Sequence, residues 1–129
     1  DLGESVFRND LQNTKFARTV KQSINEQKML FSDLEHYSPS LGIISGFFVL
    51  PLTDSKGNQM GVLALQITMN SINNILQQEA GYGKTGQAFL IGEDLYLRSA
   101  TRFGTESDIL SRKIKNKKTM SWRDFLQHR

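Results

Sequence analysis

The stretch "LGIISGFFVLPLTDSKGNQMGVLALQITM", residues 41–69, decides the architecture. Two apolar runs flank "TDSKGN", a polar segment carrying Gly57, and the pattern reads as two antiparallel strands joined by a turn. The hairpin is expected from Gly42 to Met69. Side chains alternate between the two faces of a strand. Ile44, Phe48 and Leu50 share one face of the first strand, and Leu63, Leu65, Ile67 and Met69 share one face of the second. These positions read as core, each contributing about 1.5–3 kcal/mol when buried. The opposite face carries Ile43, Ser45, Phe47 and Val49, then Met60, Val62, Ala64, Gln66 and Thr68. An aromatic ring among hydroxyls and an amide is the mixture that lines a half-buried polar pocket.

Ahead of the hairpin, Phe16, Val20 and Ile24 recur every four residues and predict an amphipathic helix from Leu11 to Gln27, capped by Asn9 or Asn13. A short extended piece around Met29 to Phe31 leads into "EHYSPS", where Pro39 pushes the preceding residue out of helical geometry. Behind the hairpin, "NSINNILQQEA" predicts a short helix, capped by Asn70 or Ser71, with Ile72, Ile75 and Leu76 on its apolar side and Gly81 and Gly83 beyond its end. "GQAFLIG" then reads as a strand, "GED" as a turn and "LYLRSAT" as the return strand. From Glu106 the chain is polar and basic as far as "SWRDFLQHR", a weak helix candidate. The order of elements gives the α+β class, an antiparallel sheet flanked by helices. No strand–helix–strand alternation points to a parallel nucleotide-binding sheet.

The 129 residues, 38% hydrophobic and 22% charged, are those of one ordinary soluble domain. Cysteine is absent, which excludes a disulfide framework, thiolate metal ligands and a cysteine nucleophile. Arg112, Lys113, Lys115, Lys117 and Lys118 form one late cluster; without those five, the formal charge of +3 becomes −2. The basicity therefore belongs to a tail and not to a nucleic-acid surface. The longest apolar run, Leu41 to Leu52, is broken by glycines, a serine and a proline, and falls short of the roughly 20 residues that span a bilayer. The opening "DLGES" lacks an initiating Met, and the chain reads as a piece of a longer protein.

Catalytic patterns are weak. "GKTGQAFLIG" superficially suggests a phosphate loop, but Lys84–Thr85 follows a helix and precedes a strand, the reverse of the required order. His36 and His128 lack metal-ligand spacing, and no serine occupies a G-x-S-x-G elbow. Asp33 with Glu35, and Glu93 with Asp94, read as turn carboxylates. Arg98 is the polar residue of most interest: its planar fork suits a ligand carboxylate, or Asp94 or Glu93 across the turn.

Two segments together carry a resemblance. "GKTGQAFLIGEDLYLRSATRF" matches a signature of the type G-x-T-G-[ET]-x-[YF]-L-[VI]-G-x-D-x-x-[ML]-R-S-x-[ST]-R-F, with Gln87 and Ala88 as departures. Upstream, the hairpin is similar to D-x-G-x-x-x-G-V-L-A-x-Q-I, with Lys56 in the place of one spacer. Over residues 30–103 the chain resembles the Cache family, PAS-like extracytoplasmic sensor modules of bacterial chemoreceptors, sensor histidine kinases and diguanylate or nucleotide cyclases. The resemblance implies a PAS-like sheet whose N-terminal helix is missing or truncated here. It implies one sensor module over 1–129, with 104–129 as a basic polar C-terminal segment or linker. It implies a domain on the periplasmic side of the inner membrane, anchored in the full-length protein, that binds a small molecule such as an amino acid or carboxylate and signals to a cytoplasmic output domain. It implies a homodimer, with no catalysis, no cofactor, no metal and no nucleic acid. The alternative is a ligand-free PAS-like dimerisation or relay module. Carried onto this chain, the ligand positions are Tyr37, Ser38, Ser40, Ser45, Phe47, Gln66, Phe89 and Arg98.

Overall fold

A computed structural model describes residues 6–7, 9–77 and 83–114, in two compact units that divide between Ser71 and Ile72. The opening "DLGES", Gly81, the lysines beyond Lys113, His128 and the "SWRDFLQHR" helix lie outside the described residues. The α+β class holds: the first unit is a helix, α1 (Lys15–Glu26), followed by a three-stranded antiparallel sheet of β1 (Leu30–Tyr37), β2 (Ile43–Thr53) and β3 (Gln59–Thr68) in the order β1-β2-β3. A second helix, α2 (Met69–Leu76), follows β3 directly.

α1 begins later than its apolar spacing suggests, because residues Asn9–Asn13 form a 3-10 turn and Thr14 is the cap. The Thr14 hydroxyl accepts the Ala17 N–H at 3.0 Å. Asn9 and Asn13, the expected caps, are the ends of that turn. Two further orphan donors are met from a distance: the N–H groups of Lys15 and Phe16 donate to the two carboxylate oxygens of Glu35, each at 2.9 Å. The helix ends at Gln27, whose left-handed φ of 51° lets its N–H return to the Ser23 carbonyl.

β1 is eight residues, longer than the extended piece expected around Met29 to Phe31, and "EHY" belongs to it. Its pairing with β2 shifts between Ser32 and Glu35. Ser32 faces Phe47 and Glu35 faces Ser45 across the ladder, so the bulge puts both on one face although they are three apart. The bulge's backbone finds side-chain partners: Asp33 Oδ1 accepts the Leu34 N–H at 2.7 Å, and Lys15 Nζ donates to the Leu34 carbonyl at 3.2 Å. The same ammonium pairs with Asp33 at 2.7 Å.

The β2–β3 hairpin lies where the sequence puts it. Its turn is organised by Asp54, whose Oδ1 accepts the N–H groups of Lys56 and Asn58, both at 2.8 Å, with Gly57 at φ 83°. The Asn58 side-chain amide, then its backbone N–H, hold the Asp54 carboxyl below its ordinary value. The core face is the reverse of the expected one. Phe16 and Val20 of α1 pack with Phe47 and Val49 of β2, and all four are buried. Phe48, Leu50, Leu63 and Leu65, expected as core, are exposed on the other side of the sheet. The Phe16 and Phe47 rings stack with centroids 4.0 Å apart and planes at 22°.

In α2, Met69 and Asn73 are buried and Ile72 and Leu76 partly so, while Ile75, expected on the same side, is exposed. The helix starts at Met69, ahead of both expected caps. In the second unit the expected strands around "GED" shrink to a tight turn with single bridges, Ile91 to Leu97 and Tyr96 to Lys113. The turn closes through Leu95 N–H to the Gly92 carbonyl at 2.9 Å, with Leu95 left-handed at φ 68°.

Glu35 is the tie between α1 and β1. Replacing Glu35 by Ala is expected to destabilise the first unit by about 1–2 kcal/mol, and Glu35→Gln by less, since one acceptor oxygen remains. Urea unfolding of the three proteins checks this ordering.

Candidate functional site

Five of the eight sequence-predicted ligand positions meet at one end of the first unit. Ser38–Ser40 form a 3-10 turn between β1 and β2, with Pro39 in its first turn. Leu41 and Gly42 then take positive φ values of 56° and 76°, and the Gly42 N–H returns to the Tyr37 carbonyl at 3.0 Å. This reversal places Ser40 over β3, where the Gln66 side-chain amide donates to Ser40 Oγ at 3.1 Å and to Ser45 Oγ at 2.9 Å. Ser45 is wholly buried, and its hydroxyl donates to the Ile43 carbonyl at 3.2 Å. Gln66 is the ladder partner of Phe47, whose ring meets Tyr37 edge-on at 4.9 Å. Tyr37 in turn stands against Phe16 at 6.0 Å. His36 Nδ1 lies 3.0 Å from the Gly42 carbonyl, which makes that nitrogen the protonated one.

Buried rings and uncharged polar groups thus converge on Gln66. The amide is exposed, as an edge-strand residue, while its two hydroxyl partners are half-buried and buried. The set offers hydrogen bonds without formal charge, which suits a neutral polar group better than a free carboxylate. Phe47 and Ser45 do double duty here: the face expected to be an open pocket is the face α1 covers. Ser38 is exposed, and its carbonyl accepts the Leu41 N–H at 3.0 Å.

Phe89 and Arg98 belong to the second unit. Phe89 is half-buried. Arg98 is buried, and its guanidinium donates to the Tyr96 carbonyl at 3.1 Å and to Asp94 Oδ2 at 2.9 Å. Of the two roles open to Arg98, pairing across the turn is the one formed. The fork lies directly on Gly92: a Cβ there would stand 2.4 Å from Nη2. Gly92 is therefore glycine for lack of room. Ser99 is buried beside it and its hydroxyl accepts the Leu90 N–H at 2.8 Å.

The glycine-rich segment also has the wrong polarity for a phosphate. Arg102 donates to the carbonyls of Gly83 and Gly86 at 2.9 and 3.0 Å, so the loop presents oxygen inward. Among the described residues no group of three or more His, Asp or Glu side chains is placed to hold a metal ion. Among them, too, no helix is long and apolar enough to cross a membrane. Three residues that matter were not singled out from sequence. Glu35 and Asp33 read as turn carboxylates but organise α1, and nothing in their spacing signals a partner some twenty residues away. Asn73, in the middle of α2, is buried and accepts the Ala100 N–H at 2.9 Å; a polar residue within an apolar helical stripe was the available signal.

Neither a scan of protein-family models nor a search of curated proteins finds a match to this chain.

Gly92→Ala is expected to destabilise the second unit by on the order of 1–3 kcal/mol, because the methyl group displaces the Arg98 fork from Asp94 and the Tyr96 carbonyl. The loss shows as faster hydrogen exchange at the Arg98 amide, which donates to the Leu90 carbonyl at 2.8 Å in the same turn.

Proposed function

We propose that this chain is a PAS-like, Cache-type sensor module without catalytic activity. It stands on the outer side of a bacterial inner membrane in a longer, membrane-anchored receptor, and binds a small molecule whose presence is relayed to a cytoplasmic output domain. The observation that supports the reading is the convergence of Tyr37, Ser40, Ser45 and Phe47 around Gln66. The Gln66 amide and the Ser40 hydroxyl orient the ligand, the buried Ser45 holds the amide in place, and the rings bound the site. Their neutrality favours a ligand group such as an amide, a hydroxyl or a nucleobase edge.

The relay follows from where these groups sit. Phe47 touches both Tyr37 of the site and Phe16 of α1, so a ligand that shifts Tyr37 acts on the ring that holds the helix. A ligand changes an equilibrium only by its unequal affinity for the two states, and the Phe16–Phe47 contact is where that difference would be felt.

A second reading, a ligand-free dimerisation or relay module, is favoured by a separate fact: α1 already covers the mixed face of the sheet. A thermal-shift screen against amino acids, carboxylates, purines and polyamines separates the two. Ligand at about 100 times its dissociation constant adds roughly 2.7 kcal/mol to stability, a rise of several degrees. The sensor reading expects a hit from one chemical class that Gln66→Ala abolishes while leaving the unliganded melting temperature within a degree or so. No hit in any class, from a folded protein, favours the relay.

A further inference from the structure

The turn that carries Ser40 is held against a local backbone preference. Leu41 and Gly42 are both left-handed, at φ 56° and 76°. Glycine takes that conformation freely, whereas in leucine the Cβ crowds the following carbonyl. Hydrogen bonds hold the turn in place. The Leu41 N–H donates to the Ser38 carbonyl and the Gly42 N–H to the Tyr37 carbonyl, both at 3.0 Å. Those two bonds are made within the turn. His36 adds a tie from the strand before it, its Nδ1 donating to the Gly42 carbonyl 3.0 Å away. Gly42 is thereby held at both its N–H and its carbonyl.

We propose that His36 is a positioning residue of the candidate site, bracing the turn so that Ser40 stays within reach of the Gln66 amide. Three observations carry this. The first is distance. The Gln66 amide reaches Ser40 Oγ at 3.1 Å, toward the long end of such bonds, and Ser40 lies two residues from the braced Gly42. A turn that relaxes at Leu41 and Gly42 therefore takes Ser40 from Gln66. The second is side. Across the ladder Tyr37 pairs with Ile43 and His36 with Ile44, so His36 stands on the opposite side of the sheet from Tyr37, Ser45 and Gln66. It does not touch a ligand held by those groups and acts on it only through the turn. The third is chemistry. A carbonyl only accepts, so Nδ1 carries a proton in the neutral ring as well as in the charged one, and the tie survives titration of the imidazole. His36 is a brace and not a pH switch. The inference rests on the sensor reading, since the placement of Ser40 matters to a ligand bound at Gln66.

Nuclear magnetic resonance of the chain without ligand tests it. At alkaline pH, where imidazole is neutral, the ring signal that disappears in His36→Gln is expected to show its proton on Nδ1, the reverse of a free histidine side chain. In His36→Gln, hydrogen exchange at the Leu41 and Gly42 amides is expected to rise roughly two- to fivefold, the factor of one net hydrogen bond, with no change at the Phe16 amide in α1. The side-chain amide signals of Gln66 are expected to move in the same direction as in Ser40→Ala. His36→Asn is expected to restore both, because its amide nitrogen falls close to the place of Nδ1 while that of Gln reaches toward Nε2. His36 is exposed, so these variants leave the core untouched. Any compound that the thermal-shift screen finds is expected to lose several-fold in affinity in His36→Gln and to recover it in His36→Asn. An Nε2-protonated neutral ring, Gln66 signals indifferent to His36→Gln, no recovery in His36→Asn, or a hit that binds His36→Gln as tightly as the wild type would each overturn the proposal. The two readings fail separately: a screen without hits counts against the ligand, while the tautomer and the Gln66 signals decide the brace.

Discussion

The stack of Phe16 on Phe47 is the contact on which the first unit depends. It lies at the centre of the core cluster, on the side of the three-stranded sheet that α1 covers. Hydrophobicity alone argues for the other side, where two phenylalanines and four leucines lie. The helix goes to the face with Ser45, Phe47 and Val49 because its first turn is tied there. Glu35 caps the helix, and the β1 bulge aims Glu35 to that face by pairing it with Ser45. With regular alternation from Ser32, Glu35 would point to the opposite side. The cap and the bulge fix where the first turn of the helix meets the sheet, since hydrogen bonds have direction whereas apolar area attracts without it.

This explains what could be read from the sequence and what could not. The hairpin was legible because two apolar runs around a Gly-containing polar turn have few other solutions. The α1 stripe was legible because Phe16, Val20 and Ile24 keep helical spacing, and all three do pack in or against the core. The choice of face was not legible. Both faces of β2 carry large apolar residues, and the deciding contacts join residues some twenty positions apart. The short strands around Gly92 were overestimated for a related reason: the Asp94–Arg98 pair and Leu95's left-handed backbone favour a tight turn over an extended ladder. Of the candidate ligand positions, those near the hairpin's open end came together, because strand pairing makes neighbours of them. Arg98 had two partners open to it, and the one four residues away on the turn took it.

The helix and the sheet of the first unit meet through one face of β2. On the side that α1 covers, Tyr37 and Gln66 lie one ring, Phe47, away from the helix contact. From Ser45 to Val49, odd-numbered positions of β2 face the helix side and even-numbered ones the other side.

The face assignment is the claim everything else rests on, and thiol reactivity tests it most directly. With no native cysteine in the chain, Val49→Cys and Leu50→Cys each carry a single thiol, one residue apart. Their reaction with an aromatic disulfide reagent is followed at high dilution, where copies of the chain are separate. The account predicts that Cys at position 50 reacts close to the rate of an unfolded peptide, while Cys at position 49 reacts only as fast as the unit opens. Protection at 50 with free reaction at 49 would mean that the helix lies on the other face, and would contradict the account.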